Sequence, residues 1–248
     1  MLRLDGKHHE NETIPRPMTE TTPLPRDMTV IFDLDGTLVD TAPDIVASIN
    51  VAFEEAGLKT VQFELLRSFV SHGARVMIEE GLRLTHVKLD ERQIDALLDR
   101  ILEDYWENID RFSKPYDGVI EVLEMLQSVG AVLGVCTNKR VAPSIELLTR
   151  LDMLKYFPVV LGADSVPAHK PDPAHLTQTI AQSGGNEARC VMIGDSITDV
   201  NTAKAAGIPV IVVDFGYTSE PPETLGGDVL VSHYREIPAA LARLIPSA

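Results

Sequence analysis

The chain has 248 residues, 44% hydrophobic and 24% charged, with a formal net charge of −15. That length buries a sizeable core as one α/β unit with room for a smaller insert, and the acidic balance excludes nucleic acid and anionic membranes, which reward clustered Lys and Arg. No run approaches the ~18 apolar residues of a membrane span. Cys136 and Cys190 sit inside apolar runs without metal-ligand spacing, so both read as buried, reduced thiols of a cytoplasmic protein.

In chain order, residues 1–27 carry four prolines, the pair His8-His9 and almost no apolar periodicity, which reads as a disordered extension with solvated histidines. A first buried strand follows at Val30-Ile31-Phe32 and runs into Asp33-Leu34-Asp35-Gly36-Thr37. Side chains two apart on a strand share a face, so extended backbone would aim both carboxylates at one volume. Asp40 or Thr41 then caps a helix carrying Ile45, Ile49, Ala52 and Phe53 and ending at Gly57. A second helix is expected near Gly73, and a third carries the stripe Ile94, Leu97, Leu98, Ile101, Leu102, Tyr105 and Ile109, read as packing, with Trp106 beside it. No strand is expected between Val39 and Phe112.

From Gly118 the β/α alternation resumes. Helices are expected over 119–126, 144–151, 174–181 and 199–206, with a last one ending at Leu244. Strands are expected at 131–136, 158–161, 190–193, 210–213 and 229–231. Such alternation predicts a doubly wound parallel sheet, a Rossmann-like core, with a helical domain inserted after the first strand. The expected divisions are an extension at 1–27, a core at 28–40 and 114–248, and a helical insert at 41–113.

Ligands of such sheets bind beyond the carboxyl ends of the strands. There the chain carries Asp33 and Asp35, then Thr137-Asn138-Lys139, then Gly194-Asp195-Ser196 with Asp199, and it places Lys170-Pro171-Asp172-Pro173 ahead of a helix. Two neighbouring carboxylates repel unless a cation neutralises them or one is protonated. The set meets the demands of phosphoryl transfer through a covalent intermediate: Asp33 as nucleophile, Asp35 as acid and then base, Thr137 and Asn138 on phosphate oxygens, and Lys170 offsetting negative charge. Mg²⁺ would be held by Asp33, the Asp35 carbonyl and Asp195, since hard cations take oxygen ligands. Thr137-Asn138 and Asp199 can also be read as helix caps, and the two prolines as turn formers.

Taken in order, Asp33-Leu-Asp35-Gly-Thr37, Thr137-Asn138, Lys170-Pro-Asp-Pro and Gly194-Asp195-Ser-Ile-Thr-Asp199 resemble the haloacid dehalogenase-like hydrolases, from Thr29 to the C-terminus. The resemblance implies that the helical insert is a mobile cap and that Asp199 stands behind the metal ligands. An acid at position 35 marks the phosphate-transferring members. Phe32 to Asp44 is similar to the phosphoglycolate phosphatase subgroup, which implies a small phosphorylated metabolite, 2-phosphoglycolate, as substrate for a monomer or homodimer. The cap stretch Ser71-His72-Gly73-Ala74-Arg75 is similar to that subgroup's glycine loop, with His72 departing from it. Gly73 and Arg75 would meet the substrate, Arg75 through a carboxylate, while Arg75 reads equally well as a solvent-facing helix residue.

Other readings share parts of this pattern. A sugar-phosphate mutase of the β-phosphoglucomutase type resembles the chain in all four motifs but returns the phosphoryl group to a second substrate. A phosphonate-cleaving relative requires a cap lysine, for which Lys59 and Lys88 are the candidates. A signalling receiver domain also phosphorylates an aspartate, yet has neither the Asp-x-Asp-Gly-Thr run after its first strand nor a helical insert.

Overall fold

The structure is a computed structural model and describes residues 24–245. The expected extension, His8 and His9 included, lies outside the described residues up to residue 23. Six strands form one parallel sheet: β1 (Thr29–Phe32), β4 (Val132–Cys136), β5 (Val159–Leu161), β6 (Cys190–Gly194), β7 (Val210–Val213) and β8 (Val229–Val231), in the order β5-β4-β1-β6-β7-β8. Thr29 of β1 registers with Val132 on one side and Cys190 on the other, which places the first strand at the centre.

Alternation decides what each face of the sheet buries. Val30 and Phe32, with Val191, Ile193, Ile211 and Val213, pack under α5 (Val119–Ser128), α6 (Val141–Arg150) and α9 (Ile237–Leu244). Ile31, Cys136, Cys190, Met192, Val210 and Val212 face the other way, under α7 (Pro173–Gln182) and α8 (Ile197–Ala206). Strands covered on both sides are continuously apolar, so the sequence shows runs here. Both cysteines are free and buried, and burial pushes each thiol up to about 12, where it is inert.

Four helices lie between β1 and α5 in sequence: α1 (Ala42–Glu55), α2 (Phe63–Leu66), α3 (Ala74–Leu84) and α4 (Glu91–Glu107). They build a separate apolar cluster around Ile49, Phe53, Leu66, Met77, Ile78 and Ile101. Where a single helix near Gly73 is expected, α2 and a 3₁₀ turn over Arg67–His72 come first, because a 3₁₀ turn leaves no 3.6-residue signal. Gly73, at φ +89°, then redirects the chain into α3. Leu102 of the α4 stripe is 41% exposed, so it does not pack as expected.

Two further expectations are corrected where the helical unit joins the sheet. The two-residue strands β2 (Val39–Asp40) and β3 (Lys114–Pro115) pair antiparallel and carry the chain in and out, too short for alternation to announce them. Asp44, buried at the start of α1, fastens the two crossings by accepting from the Phe112 and Ser113 amides and the Ser113 hydroxyl, the last at 2.7 Å. Neither Asp40 nor Thr41 caps α1 through its side chain. The Thr41 and Ala42 amides instead donate to the distant Tyr217 hydroxyl, at 2.6 and 2.9 Å. Elsewhere α6 begins at Val141 rather than at Ser144, and the cap of α8 is Ser196. Asp199 sits at the third helical position and completes a reciprocal capping box.

Candidate active site

Asp33 leaves the carboxyl end of β1, and its amide still donates to Ile193 at 2.9 Å. The chain then turns sharply: the Leu38 and Val39 amides both donate to the Leu34 carbonyl, and Gly36 takes φ +82°. Extended backbone therefore does not persist from Asp33 to Asp35, and the two carboxylates find different lysines. Lys170 Nζ lies 2.9 Å from Asp33 Oδ1, while Lys139 Nζ lies 3.2 Å from Asp35 Oδ1. Lys139 is not among the site residues expected from sequence, although it stands in the same strand-end run as Thr137. Its ammonium also sits 4.5 Å from the centre of the Tyr105 ring, on α4. Burial opposes its charge, but Asp35 and Tyr105 outweigh burial and hold its pKa above the ordinary lysine value.

Asp33, Asp195 and Asp199 converge from β1, β6 and α8, each offering a carboxylate oxygen within 4.8 Å of the others. All three are buried. Asp199 accepts from Lys170 at 2.6 Å and from the Ser196 hydroxyl at 2.6 Å. Asp195 Oδ2 accepts from the Tyr217 amide at 2.7 Å, and Thr37 Oγ1 approaches Oδ1 at 3.4 Å. A side chain on Gly36 would place its Cβ 2.5 Å from Asp195 Oδ2, and one on Gly216 would overlap the Asp195 side chain. Two bare glycines thus wall in this carboxylate.

Three acids face a single ammonium here. Burial and then Asp199 push Asp33 up to about 7 against the pull of Lys170; burial, Asp199 and Asp33 push Asp195 well above the carboxylate range. The Lys170 contact with Asp33 is an ion pair without hydrogen-bond alignment, which leaves Asp33 Oδ1 buried with no hydrogen-bond donor. An uncompensated negative cluster of oxygen ligands, without His or Cys, fits a hard divalent cation.

Thr137 and Asn138 follow β4 beside this cluster. The Thr137 hydroxyl accepts from the Lys139 amide at 3.1 Å, and the Asn138 amide group donates to the Lys170 carbonyl at 3.1 Å, which ties two strand-end loops together. The structure does not bring Gly73 and Arg75 to the cluster. A cleft of about 80 Å³ between the helical unit and the core is lined by Ser68, Ser71 and His72 on one side and by 196–198 and 217–220 on the other. Arg75, in the first turn of α3, is paired with Glu91 at 3.2 Å and with Asp95. Arg67 faces the core instead, donating at 3.0 Å to the Phe215 and Gly216 carbonyls. Neither Arg67 nor Tyr217 is among the residues expected from sequence. For Tyr217 a signal existed, since Phe215-Gly216-Tyr217 follows the strand Val210–Val213 at its carboxyl end. A larger cavity of about 570 Å³, lined by Leu82, Arg83 and His86 among others, lies on the helical unit and contains none of these groups.

A parallel sheet whose central strand ends in paired aspartates, completed by a strand-end threonine, a buried lysine and a further acid pair, defines a hydrolase class. The model for haloacid dehalogenase-like hydrolases matches residues 30–213, and the chain belongs to that family. Its curated relatives include the phosphoglycolate phosphatases of Caulobacter vibrioides, 43% identical over 88% of this chain and 92% of that one, and of Mesorhizobium japonicum, 44% identical over 88% and 97%. The crystal structure of a predicted phosphoglycolate phosphatase from Haemophilus somnus superposes with a TM-score of 0.81 at 28% identity, covering 86% of this chain and 97% of that one.

Proposed function

We propose that the chain is a Mg²⁺-dependent phosphatase of small phosphomonoesters, with 2-phosphoglycolate as the main substrate, acting through an aspartyl-phosphate. The observation that carries this reading is the Asp33 carboxylate, buried with one oxygen lacking a donor, beside Lys170 and two further acids at the carboxyl end of the sheet. The curated names of the relatives support the substrate.

Asp33 attacks phosphorus and forms an acyl phosphate as the ester P–O bond breaks, and Asp35 gives its proton to the departing alkoxide. Water then attacks the same phosphorus, Asp35 takes back a proton, and the acyl phosphate opens to inorganic phosphate and the Asp33 carboxylate. The Thr137 hydroxyl and Asn138 bind phosphate oxygens, and Lys170 balances the charge that nucleophile and phosphate share. Asp33 and Asp195 would hold Mg²⁺ together with the Asp35 carbonyl. When bound, the cation screens the carboxylate from the incoming phosphate. Asp199 fastens Lys170.

Residues 41–113 act as the cap, a lid whose cleft face carries His72 and selects the leaving group. Among the described residues no helix is long and apolar enough to cross a membrane. Two free buried thiols fit a reducing compartment, the cytoplasm. Phosphate release across a panel of phosphomonoesters with Mg²⁺, with and without a hexose bisphosphate, tests the reading. The expected result is preferred hydrolysis of 2-phosphoglycolate with no need for the bisphosphate. Dependence on the bisphosphate, with phosphate retained on sugar, would overturn it in favour of a mutase.

A further inference from the structure

The segment 214–217, which follows β7, touches both halves of the molecule. On the side of the acidic cluster, the Tyr217 amide donates to Asp195 Oδ2 at 2.7 Å and Gly216 packs directly against the Asp195 side chain. On the side of the helical unit, the Tyr217 hydroxyl is fully used: it donates to Asp40 at 2.7 Å and accepts from the Thr41 and Ala42 amides at 2.6 and 2.9 Å. Those three residues are the entry crossing. The Phe215 ring packs tilted against Tyr116, with ring centres 4.6 Å apart, next to the exit crossing. Arg67 of the helical unit grips the Phe215 and Gly216 carbonyls and lies over the Tyr217 ring at 5.4 Å. Among the described residues, Tyr217 is moreover the sole buried member of the helical unit's apolar cluster that comes from outside residues 42–101.

We infer that Tyr217 is a positioning residue that couples the hinge of the helical unit to the carboxylate of Asp195, so that cation affinity depends on the position of the helical unit. The physical reason is rigidity over a short path. One residue holds the hinge with its hydroxyl and the acid with its own amide, and a shift at Asp40–Ala42 is delivered to Asp195 through a single buried side chain. The hydroxyl has no slack, since losing it strands two buried amides and a carboxylate. Coupling of this kind is reciprocal, so a cation on Asp195 biases the hinge by the same amount.

This inference rests on the proposed metal site, and titration calorimetry of Mg²⁺ into the full chain without substrate tests both parts separately. Tyr217→Phe keeps the ring, the Arg67 contact and the backbone amide, and is expected to weaken Mg²⁺ binding about tenfold. Asp40→Ala is expected to do the same, with the double variant no weaker than either single one, because both remove one connection. Asp40→Asn preserves an oxygen acceptor for the hydroxyl and should stay within about twofold of the starting affinity. Thermal melting of the metal-free proteins separates the alternative: a purely packing role lowers the melting temperature and leaves Mg²⁺ affinity alone. Unchanged affinity in folded Tyr217→Phe overturns the coupling. If that variant does not fold, equal affinities of Asp40→Ala and Asp40→Asn overturn it. A parent protein that binds no Mg²⁺ overturns the metal reading, and the coupling with it.

Discussion

At the scale of single residues, the two aspartates of the first motif differ in their surroundings more than in their chemistry. Asp33 is 6% exposed and raised to about 7 by burial among acids, whereas Asp35 is shared with Lys139 at the edge of the cluster. Unequal surroundings imply unequal losses on substitution. Asp33→Asn removes the nucleophile and is expected to lower kcat by more than about 10⁴-fold. Asp35→Asn should lower kcat by about 10²–10⁴-fold while a phosphate mimic still binds, a pattern read by steady-state kinetics beside inhibition by vanadate. Arg75 is a residue type suited to a carboxylate, and in the structure its partners are two acids of the helical unit. Its guanidinium is held on the surface by Glu91 and Asp95. Arg75→Ala should therefore leave kcat/KM for 2-phosphoglycolate within about twofold, because an exposed pair contributes little; a large rise in KM would restore it to the substrate.

At the scale of elements, the site depends on how helix starts meet strand ends. Ser196 begins α8 with a reciprocal capping box, and the same Asp199 that completes the box holds Lys170. At the start of α7, His175 is fully buried: its Nδ1 accepts from the Lys170 amide at 3.3 Å and its Nε2 lies 3.2 Å from the Leu161 carbonyl. Only the neutral ring can accept at one nitrogen and donate at the other. Burial, and then Lys170, lower its pKa from 6.5 to about 4. Above pH 6.5 the folded and unfolded states are both neutral at this residue. As pH falls from 6.5 towards 4 the unfolded chain takes the proton first, so stability is lost across that window. Urea unfolding at pH 7 and pH 5 should show a loss of about 2 kcal/mol from this group, and His175→Gln should flatten the slope by that amount. An identical slope in the variant would assign the pH dependence elsewhere.

At the scale of the whole molecule, an acidic chain gathers three carboxylates around one ammonium and leaves the excess charge for a cation. Mg²⁺ should then stabilise the fold by mass action, by about 2.7 kcal/mol at a hundredfold excess over its Kd. Calorimetric scans should show the melting temperature rising with Mg²⁺ and returning on chelation with EDTA, with activity following; a melting temperature indifferent to Mg²⁺ would count against the cluster as its site. The sequence by itself determined the parallel sheet, the helical interruption after its first strand and the neighbourhood of Asp33, Thr137, Lys170 and Asp195. It could do so because buried strands leave apolar runs and because α/β sheets collect polar groups at their strand ends. It left the two crossing strands unseen, since two residues carry no period, and it left open which residues of the helical unit meet the core, since a helix face does not say which neighbour it will meet. Only the tertiary structure decided that Asp33 and Asp35 answer to different lysines, that Arg67 rather than Arg75 faces the core, and that Tyr217 touches both the entry crossing and Asp195. Each of those contacts spans more than a hundred positions or turns on the angle between two packed units, and local pattern contains no information about either.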